Sequence, residues 1–100
     1  MSDTPKGYWI GHVTVDDPQA YQAYREANAV AFAKYGARFL VRGGAQEVVE
    51  GDQRPRSVVI EFPSLEAARA CYLSPEYQRA LALRTPVSVA DLSIVEGYLG

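Results

Sequence analysis

The chain has 100 residues, of which 48% are hydrophobic and 22% are charged, and its formal net charge is −2. This length predicts one domain, residues 1–100, and the composition is typical of a soluble globular protein. No cluster of lysine and arginine provides the basic surface that nucleic-acid binding needs, and no apolar stretch approaches the ~20 residues that cross a bilayer. We therefore expect neither a nucleic-acid nor a membrane partner.

The N-terminal residues 1–7 lack the charged-then-apolar pattern of a signal peptide. We expect them to form a loose leader and the protein to be cytoplasmic. The single cysteine, Cys71, rules out a disulfide within the chain, and its apolar helical surroundings predict a buried, unreactive thiol. One histidine among scattered carboxylates lacks the ligand spacing of a metal site, so the sequence predicts no metal and no cofactor.

The first predicted strand is Tyr8–Val15, and Asp17-Pro18 after it has the N-cap and first-turn proline that begin a helix. Gly36 is the residue expected just beyond the end of this helix. An apolar stripe at helical spacing consists of Ala20, Tyr24, Ala27, Ala31 and Tyr35, and its shoulder consists of Tyr21, Asn28 and Phe32.

The second predicted strand is Arg38–Arg42, and Gly43-Gly44 after it predicts a bend or bulge. We expect the strand to continue through Gln46–Glu50 and then to turn at residues 51–55, where glycine, aspartate and proline are concentrated. The third predicted strand, Ser57–Phe62, completes a long hairpin.

Ser64 begins one short helix, and Ser74-Pro75 begins a second with a cap and a first-turn proline. Residues 85–90 look irregular, and the fourth predicted strand is Leu92–Tyr98. The resulting order is β-α-β-β-α-β. Right-handed crossovers would place the helices on one face of the sheet, which predicts the ferredoxin-like α+β arrangement.

Side chains alternate along a strand, so each strand presents one set of residues to the helices and one set to the opposite side. The set expected beneath the helices is Val13, Val15, Phe39, Val41, Val58, Ile60, Phe62 and Val95. The other set is Tyr8, Ile10, His12, Arg38, Leu40, Arg42, Val59, Glu61, Ile94, Glu96 and Tyr98. The second set is too apolar for water and too charged for an ordinary core. We expect it to meet a second copy of the chain, as a homodimer, or a ligand.

Several residue groups along the chain together resemble the domain-of-unknown-function 1330 family. These groups are Gly7-Tyr8-Trp9-Ile10, Asp17-Pro18 with Tyr21 and Tyr24, Tyr35-Gly36, Arg42-Gly43-Gly44, Glu50-Gly51-Asp52 with Arg54-Pro55, Val59 to Ser64, Ser74 to Tyr77, and Val95-Glu96-Gly97. The resemblance covers nearly the whole length. It implies a ferredoxin-like fold with an antiparallel sheet that dimerises through its sheets, within the dimeric α/β-barrel superfamily. That superfamily includes small monooxygenases, haem-degrading enzymes and muconolactone isomerases, but the family itself implies no activity.

The predicted catalytic group consists of His12, Glu61 and Arg42. His12 and Glu61 share a face of the two strands that we expect to be central and parallel, within hydrogen-bond reach of each other. Such a pair is either an acid–base group that works near neutral pH or a buried ion pair inside a dimer interface. Arg42 either captures a carboxylate or enolate oxygen or forms a salt bridge to a glutamate or the partner chain.

The predicted substrate-binding residues are Tyr77, Arg84 and Asn28. Tyr77 and Arg84 share a face of the second short helix, where they either form a lid over a ligand or pack and cap the helix. Asn28 lies beside apolar neighbours and so requires a hydrogen-bond partner, whereas Tyr21 beside it is expected in the core. Arg38 is expected to be a charge at the rim.

Two functions are compatible with this pattern. The first is a small cofactor-independent enzyme, of isomerase or monooxygenase type, that acts on a small anionic organic molecule. The second is a dimeric module that binds a metabolite or stabilises a partner without catalysis.

Overall fold

The computed structural model of the protein describes residues 4–100. Its four strands are β1, Gly7–Val15; β2, Arg38–Arg42; β3, Arg56–Phe62; and β4, Ser88–Glu96. Its helices are α1, Pro18–Lys34; α2, Leu65–Leu73; and α3, Pro75–Arg84, followed by a 3-10 turn at Thr85–Val87. The β-α-β-β-α-β order and the α+β class are confirmed. Residues 1–3 of the predicted leader lie outside the described residues, and Gly7 already belongs to β1.

The sheet is antiparallel throughout, in the order β2-β3-β1-β4. β1 and β3 are the central strands, as predicted, but the expectation that they run parallel is wrong. The crossover through α1 gives β1 and β2 the same direction, and the connection from β2 to β3 reverses the chain. β3 therefore runs antiparallel to β1, and this direction decides which side chains meet across the sheet.

The predicted helix starts are confirmed, because each cap residue satisfies a backbone N–H group that has no partner inside its helix. The side chain of Asp17 accepts from the backbone of Ala20 at 3.1 Å, and Ser64 and Ser74 make the same contact at 3.1 Å with the third residues of α2 and α3. Gly36, just beyond α1, has a φ of 70°, which favours glycine.

The core lies between the sheet and the helices and is built around Trp9, which is 2% exposed. Its ring lies between 4.8 and 5.8 Å, centroid to centroid, from the rings of Phe32, Phe62, Tyr72 and Tyr77. Most of these pairs meet edge to face, the geometry that aromatic rings prefer. The indole N–H donates to the Ala68 carbonyl at 2.8 Å, which ties β1 to α2.

The predicted faces of β4 are reversed. β4 begins at Ser88 within the stretch that looked irregular, and Trp9 on β1 pairs with Ile94. Ile94 therefore packs against the core, while Val95 is 42% exposed on the other side. The sequence contains a signal for this arrangement, because Asp91 and Ser93 share the parity of Val95 and are polar.

A register shift in β2 turns Arg42 to the helix side of the sheet. Phe39 pairs with Ile60, but Val41 pairs with Val59, so one extra residue of β2 lies between the two pairs. After this bulge Arg42 pairs with Val58, a core-side residue. The prediction that Arg42 shares a face with His12 is therefore wrong, because strict alternation does not anticipate a bulge.

β2 ends at Arg42, and the predicted continuation through Gln46–Glu50 has no strand structure. Gly43 has a φ of 69°, and the position of a β-carbon there is occupied by the guanidinium of Arg56. The positive φ favours glycine at this position, and a β-carbon there would require the Arg56 side chain to move.

Candidate functional site

A cavity of about 50 Å³ lies between the sheet and the helices α1 and α3. Its sheet side is formed by strand residues that point toward the helices, with Gly11 among them. The lining residues are Trp9, Gly11, Val13, Tyr21, Tyr24, Arg25, Asn28, Phe32, Arg42, Arg56, Val58, Ile60, Tyr77, Arg84, Ala90 and Leu92.

Four arginines line this cavity, namely Arg25, Arg42, Arg56 and Arg84, and no carboxylate from residues 4–100 lines it with them. Arg25 and Arg42 are exposed, whereas Arg56 and Arg84 are partly buried. Like charges that are brought together in a partly dry site repel one another unless an anion lies among them. The cavity lining therefore carries a local excess of positive charge.

Three of the four guanidinium groups lie over aromatic rings. The Arg42 guanidinium carbon is 3.9 Å from the centre of the Phe39 ring. The corresponding carbons of Arg56 and Arg84 are 5.7 Å from Tyr21 and 5.6 Å from Tyr24. Such contacts attract the cation to the face of the ring and hold the guanidinium in place, while its N–H groups stay available to a ligand.

Two polar atoms of the cavity residues are buried without a hydrogen-bond partner. They are Oδ1 of Asn28, a residue that is 4% exposed, and Nε of Arg56. Buried polar groups are nearly always paired, because leaving one unpaired costs about 1–3 kcal/mol. An acceptor and a donor left open beside one cavity are the groups that a ligand would use.

The ionisable groups in the cavity influence one another. Desolvation, and then repulsion by Arg25 and Arg56, lowers the pKa of Arg42. Desolvation also acts to lower the pKa of Arg84, but the neighbouring Tyr77 and Tyr24 phenols outweigh it and the net shift is upward. Arginine stays charged at neutral pH after such shifts, so these groups provide permanent positive charge.

Two of the three buried phenols of the cavity, Tyr24 and Tyr77, are joined by a hydrogen bond of 2.9 Å between their hydroxyl oxygens. Desolvation, and then the proximity of Tyr24, raises the pKa of Tyr77. Desolvation also raises the pKa of Tyr21. The phenols of Tyr77 and Tyr21 are therefore protonated at neutral pH, where they can donate hydrogen bonds but do not act as bases.

The structure brings four of the six predicted site residues to this one cavity. Asn28 comes from α1, Tyr77 and Arg84 come from α3, and Arg42 comes from β2. Tyr77 is 1% exposed, so it belongs to the buried wall of the cavity and is not part of a mobile lid. The role of each residue in ligand binding stays a prediction.

His12 and Glu61 lie on the other face of the sheet and do not contact each other. His12 pairs with Ser57, and Glu61 pairs with Tyr8, four residues away along β1. At roughly 3.3 Å per residue this offset is about 13 Å, beyond hydrogen-bond reach. Nδ1 of His12 lies 3.0 Å from the Ser57 hydroxyl, and the Tyr8 hydroxyl donates to Glu61 at 2.9 Å. The predicted His12–Glu61 pair is therefore wrong, while any catalytic role of either residue stays untested.

Sequence reasoning missed Arg56, Tyr24 and Trp9 as site residues. Arg56 has the same parity as Val58 and Ile60, so extending the predicted third strand by one residue would have placed it beside the core. Tyr24 was predicted on the apolar stripe of the first helix, and Trp9 was not assigned to either face of the sheet. No sequence pattern distinguishes an aromatic residue that lines a cavity from one that fills a core.

The helix-free face of the sheet is open and partly apolar. Its exposed apolar side chains include Val41, 41% exposed, Val89, 47%, and Val95, 42%. Near His12 this face has a polar cleft, where Arg54 forms a salt bridge of 3.0 Å with Asp91 and donates to Thr14 at 3.2 Å. This face therefore combines apolar surface with polar groups, several of which are already paired.

Within residues 4–100, no three His, Cys, Asp or Glu side chains group closely enough to hold a metal ion. In the same part of the chain, no helix has the length and apolar character needed to cross a membrane. Cys71 is buried in the core, and its desolvation raises the pKa of the thiol to about 12, so it is unreactive at neutral pH, as predicted.

The antiparallel sheet, with its helices on one face, defines a ferredoxin-like α+β protein. The chain belongs to the family described as domain of unknown function (DUF1330), whose sequence profile matches residues 6–98. The family resemblance drawn from the sequence is thereby confirmed. No curated protein matches the chain.

Solved structures of other proteins share this fold. A protein of unknown function from Rhodopseudomonas palustris matches with a TM-score of 0.75 at 18% identity, over 98% of this chain and 86% of that one. The cofactor-independent oxygenase SnoaB from Streptomyces nogalater matches with a TM-score of 0.64 at 13% identity, over 97% of each chain. A dimeric ferredoxin-like protein of unknown function from Jannaschia sp. CCS1 matches at 0.62 and 16% identity, over 91% of this chain and 98% of that one. At these identities the likeness establishes the fold alone.

Proposed function

We propose that the protein binds a small organic anion in the cavity between the sheet and the helices α1 and α3, and acts on it as a cofactor-independent enzyme of isomerase or monooxygenase type. The observation that carries this proposal is the group of four arginines, set among aromatic rings, with no carboxylate from the described residues beside them. The aromatic walls favour a ligand with a flat, conjugated skeleton.

The chemistry of the cavity favours stabilisation of an anionic intermediate. Guanidinium groups held in a partly dry site lower the free energy of an enolate or phenolate more than water does. An isomerisation through an enolate would use this stabilisation, as would the reaction of an electron-rich anion with dioxygen. The likeness to a cofactor-independent oxygenase fits such a role, although it supports the fold alone.

A second candidate is a module that binds the anion without changing it. It is favoured by the protonated state of the cavity phenols, since burial raises the pKa values of Tyr77 and Tyr21. Among residues 4–100, none of the cavity side chains is a histidine or a carboxylate that could accept a proton near neutral pH. An enzyme built on this cavity would therefore pass the proton to water or to a basic group of the substrate.

Phenylpyruvate separates these possibilities, because it is an aromatic anion that forms an enolate when it loses a proton from C3. Its binding is measured by calorimetry, and its enolate formation by the exchange of the C3 protons for deuterium in D2O. We expect saturable binding and faster exchange, both weakened by Arg56→Gln and both unaffected by Arg38→Gln on the opposite face. Binding without faster exchange would favour the non-catalytic module, and the absence of binding would refute both candidates.

We also propose that two copies of the chain pair through the helix-free faces of their sheets, in a cytoplasmic homodimer. The apolar side chains exposed on this face support the pairing, because covering them removes apolar surface from water. The dimeric ferredoxin-like relatives support it as well.

The dimer is tested by light scattering with Val59→Asp, at the centre of this face, and with Val30→Asp as the control. Val30 lies on α1 and is 62% exposed. Enclosing an unpaired carboxylate costs several kcal/mol, so we expect Val59→Asp to raise the dimer dissociation constant by about 100-fold or more. Val30→Asp should leave it unchanged. A wild-type protein that is monomeric at all concentrations would refute the pairing.

A further inference from the structure

We infer that the ligand of this cavity is an aromatic hydroxy acid, whose acidic oxygen binds Arg56 and whose hydroxyl group binds the side chain of Asn28. This inference deepens the proposed function and rests on it. It starts from the two polar atoms that the fold buries and leaves without partners.

Asn28 is held in a fixed position on the wall of the cavity. It lies on the buried side of α1, between turns that carry the buried Tyr24 and Phe32, and it is 4% exposed. Its Oδ1 accepts no hydrogen bond from any described residue. A leucine of similar size would pack at this position without the free-energy cost of burying an unpaired polar atom. An asparagine here is therefore explained by a polar partner that enters the cavity.

A hydroxyl group is the partner that fits Asn28 best. The amide presents an acceptor oxygen on one side and a donor nitrogen on the other. A hydroxyl both donates and accepts, so it pairs with whichever side of the amide it meets. A second carboxylate would repel the amide oxygen, and an ammonium group would be repelled by the four arginines of the cavity.

Arg56 supplies the matching donor for the acidic group. Its Nε–H is buried without a partner, and its guanidinium lies against Gly43 and over the ring of Tyr21. A guanidinium offers two parallel N–H groups to a carboxylate, and Nε–H is one of them in the side-on arrangement. The acidic oxygen of a ligand would satisfy this donor.

The size of the cavity limits how much of a ligand it can enclose. A volume of about 50 Å³ holds a few water molecules or the polar end of a ligand, and the exposed Arg25 and Arg42 mark the side that opens to solvent. Ordered water can satisfy Asn28 and Arg56 when no ligand is bound. A ligand group that replaces water must reproduce its hydrogen bonds, which an apolar ring alone does not.

The test compares benzoate with 2-, 3- and 4-hydroxybenzoate at neutral pH, in the wild-type protein and in Asn28→Leu. Binding is followed by calorimetry and by the NMR signal of the indole N–H of Trp9, the only tryptophan in the chain and a residue that lines the cavity. We expect at least one hydroxybenzoate isomer to bind about tenfold more tightly than benzoate. Asn28→Leu should fold and lose the preference for the hydroxyl group, so that its dissociation constants for benzoate and for the hydroxybenzoates become similar. Arg56→Lys serves as a second variant, which keeps the charge, removes Nε–H and should weaken the binding of every probe.

The outcomes separate this inference from the proposal beneath it. If benzoate binds but no isomer binds more tightly, or if Asn28→Leu keeps the preference, the hydroxy-acid inference is refuted and the anion site stands. If no probe shifts the Trp9 signal or releases heat, both the inference and the proposed function are refuted.

Discussion

Both faces of this sheet carry charged and polar side chains among apolar ones, but the two faces differ in whether these polar groups have hydrogen-bond partners. On the helix side, arginines, phenols and an asparagine surround a cavity, and two of their polar atoms have no partner. On the helix-free side, several polar groups are paired with one another, as in Tyr8 with Glu61 and Arg54 with Asp91. Groups that satisfy one another have little left for a ligand. This contrast supports the proposals that a ligand binds on the helix side and that the other side pairs with a second copy of the chain.

The largest expected effect contrasts the packing of the two faces. Trp9→Ala removes the ring at the centre of the core and should lower the free energy of unfolding by about 3–5 kcal/mol. Val89→Ala, on the helix-free face and 47% exposed, should cost less than about 1 kcal/mol. Urea denaturation of both variants at one protein concentration measures the difference. Equal losses would show that the helix-free face is packed as tightly as the core.

The second effect concerns ligand affinity. Arg84→Gln removes a guanidinium from the cavity and should weaken phenylpyruvate binding by about tenfold or more, because hydrogen bonds to charged groups contribute roughly 1.5–3 kcal/mol. Arg79→Gln is the matched control, since Arg79 lies on the same helix and is exposed. Calorimetry that gives the same dissociation constant for both variants would contradict the placement of the anion beside Arg84.

The third effect compares two tyrosine hydrogen bonds, each 2.9 Å long. Tyr24→Phe leaves the Tyr77 hydroxyl buried without its partner and should cost about 1–2 kcal/mol of unfolding free energy. Tyr8→Phe should cost less, because water can replace the partly buried contact with Glu61. The double variant Tyr24→Phe/Tyr77→Phe should cost less than the sum of its single changes, since it leaves no unpaired hydroxyl. Additive losses would show that the two phenols do not act as a pair.

The smallest expected effect is on stability and comes from an exposed ion pair between α1 and α3. Lys34 binds Glu76 at 3.0 Å and, chiefly through this hydrogen bond, lowers the pKa of Glu76 below its usual 4.5. A lowered folded-state pKa adds stability above the unfolded-state value, and this stability is lost as the pH falls through the folded-state value. Lys34→Gln should therefore be slightly less stable than wild type at neutral pH, and the difference should shrink in acid. A difference that stays constant with pH would rule out the ion pair as its cause.

The sequence predicts local features of this fold better than long-range ones. The helix starts at Asp17, Ser64 and Ser74 follow from capping chemistry, which depends only on neighbouring residues. The β-α-β-β-α-β order and right-handed crossovers predicted the ferredoxin-like arrangement, and the profile match confirms the family that the sequence resembles. The direction of β3 relative to β1, however, depends on the whole order of connections.

The candidate site residues show the same difference between local features, which the sequence predicts well, and long-range ones, which it does not. Asn28, Tyr77 and Arg84 were identified because helical spacing gives the face of a side chain directly. Arg42 was identified as an anion-binding candidate but assigned to the wrong face, because a one-residue bulge reverses every side chain that follows it. His12 and Glu61 were joined by parity alone, which fixes the face of a residue but not its position along the strand. Unpaired buried atoms, which now carry the ligand inference, are visible only after packing is known.

The central claim is that the ligand binds on the helix side of the sheet, and mapping phenylpyruvate by NMR tests it most directly. The indole N–H of Trp9 and the side-chain amide of Asn28 report on the helix side, and the imidazole of His12 reports on the other. The first two signals should shift saturably with one dissociation constant while the His12 signals stay in place. Saturable shifts at His12, with Trp9 and Asn28 unchanged, would contradict the claim.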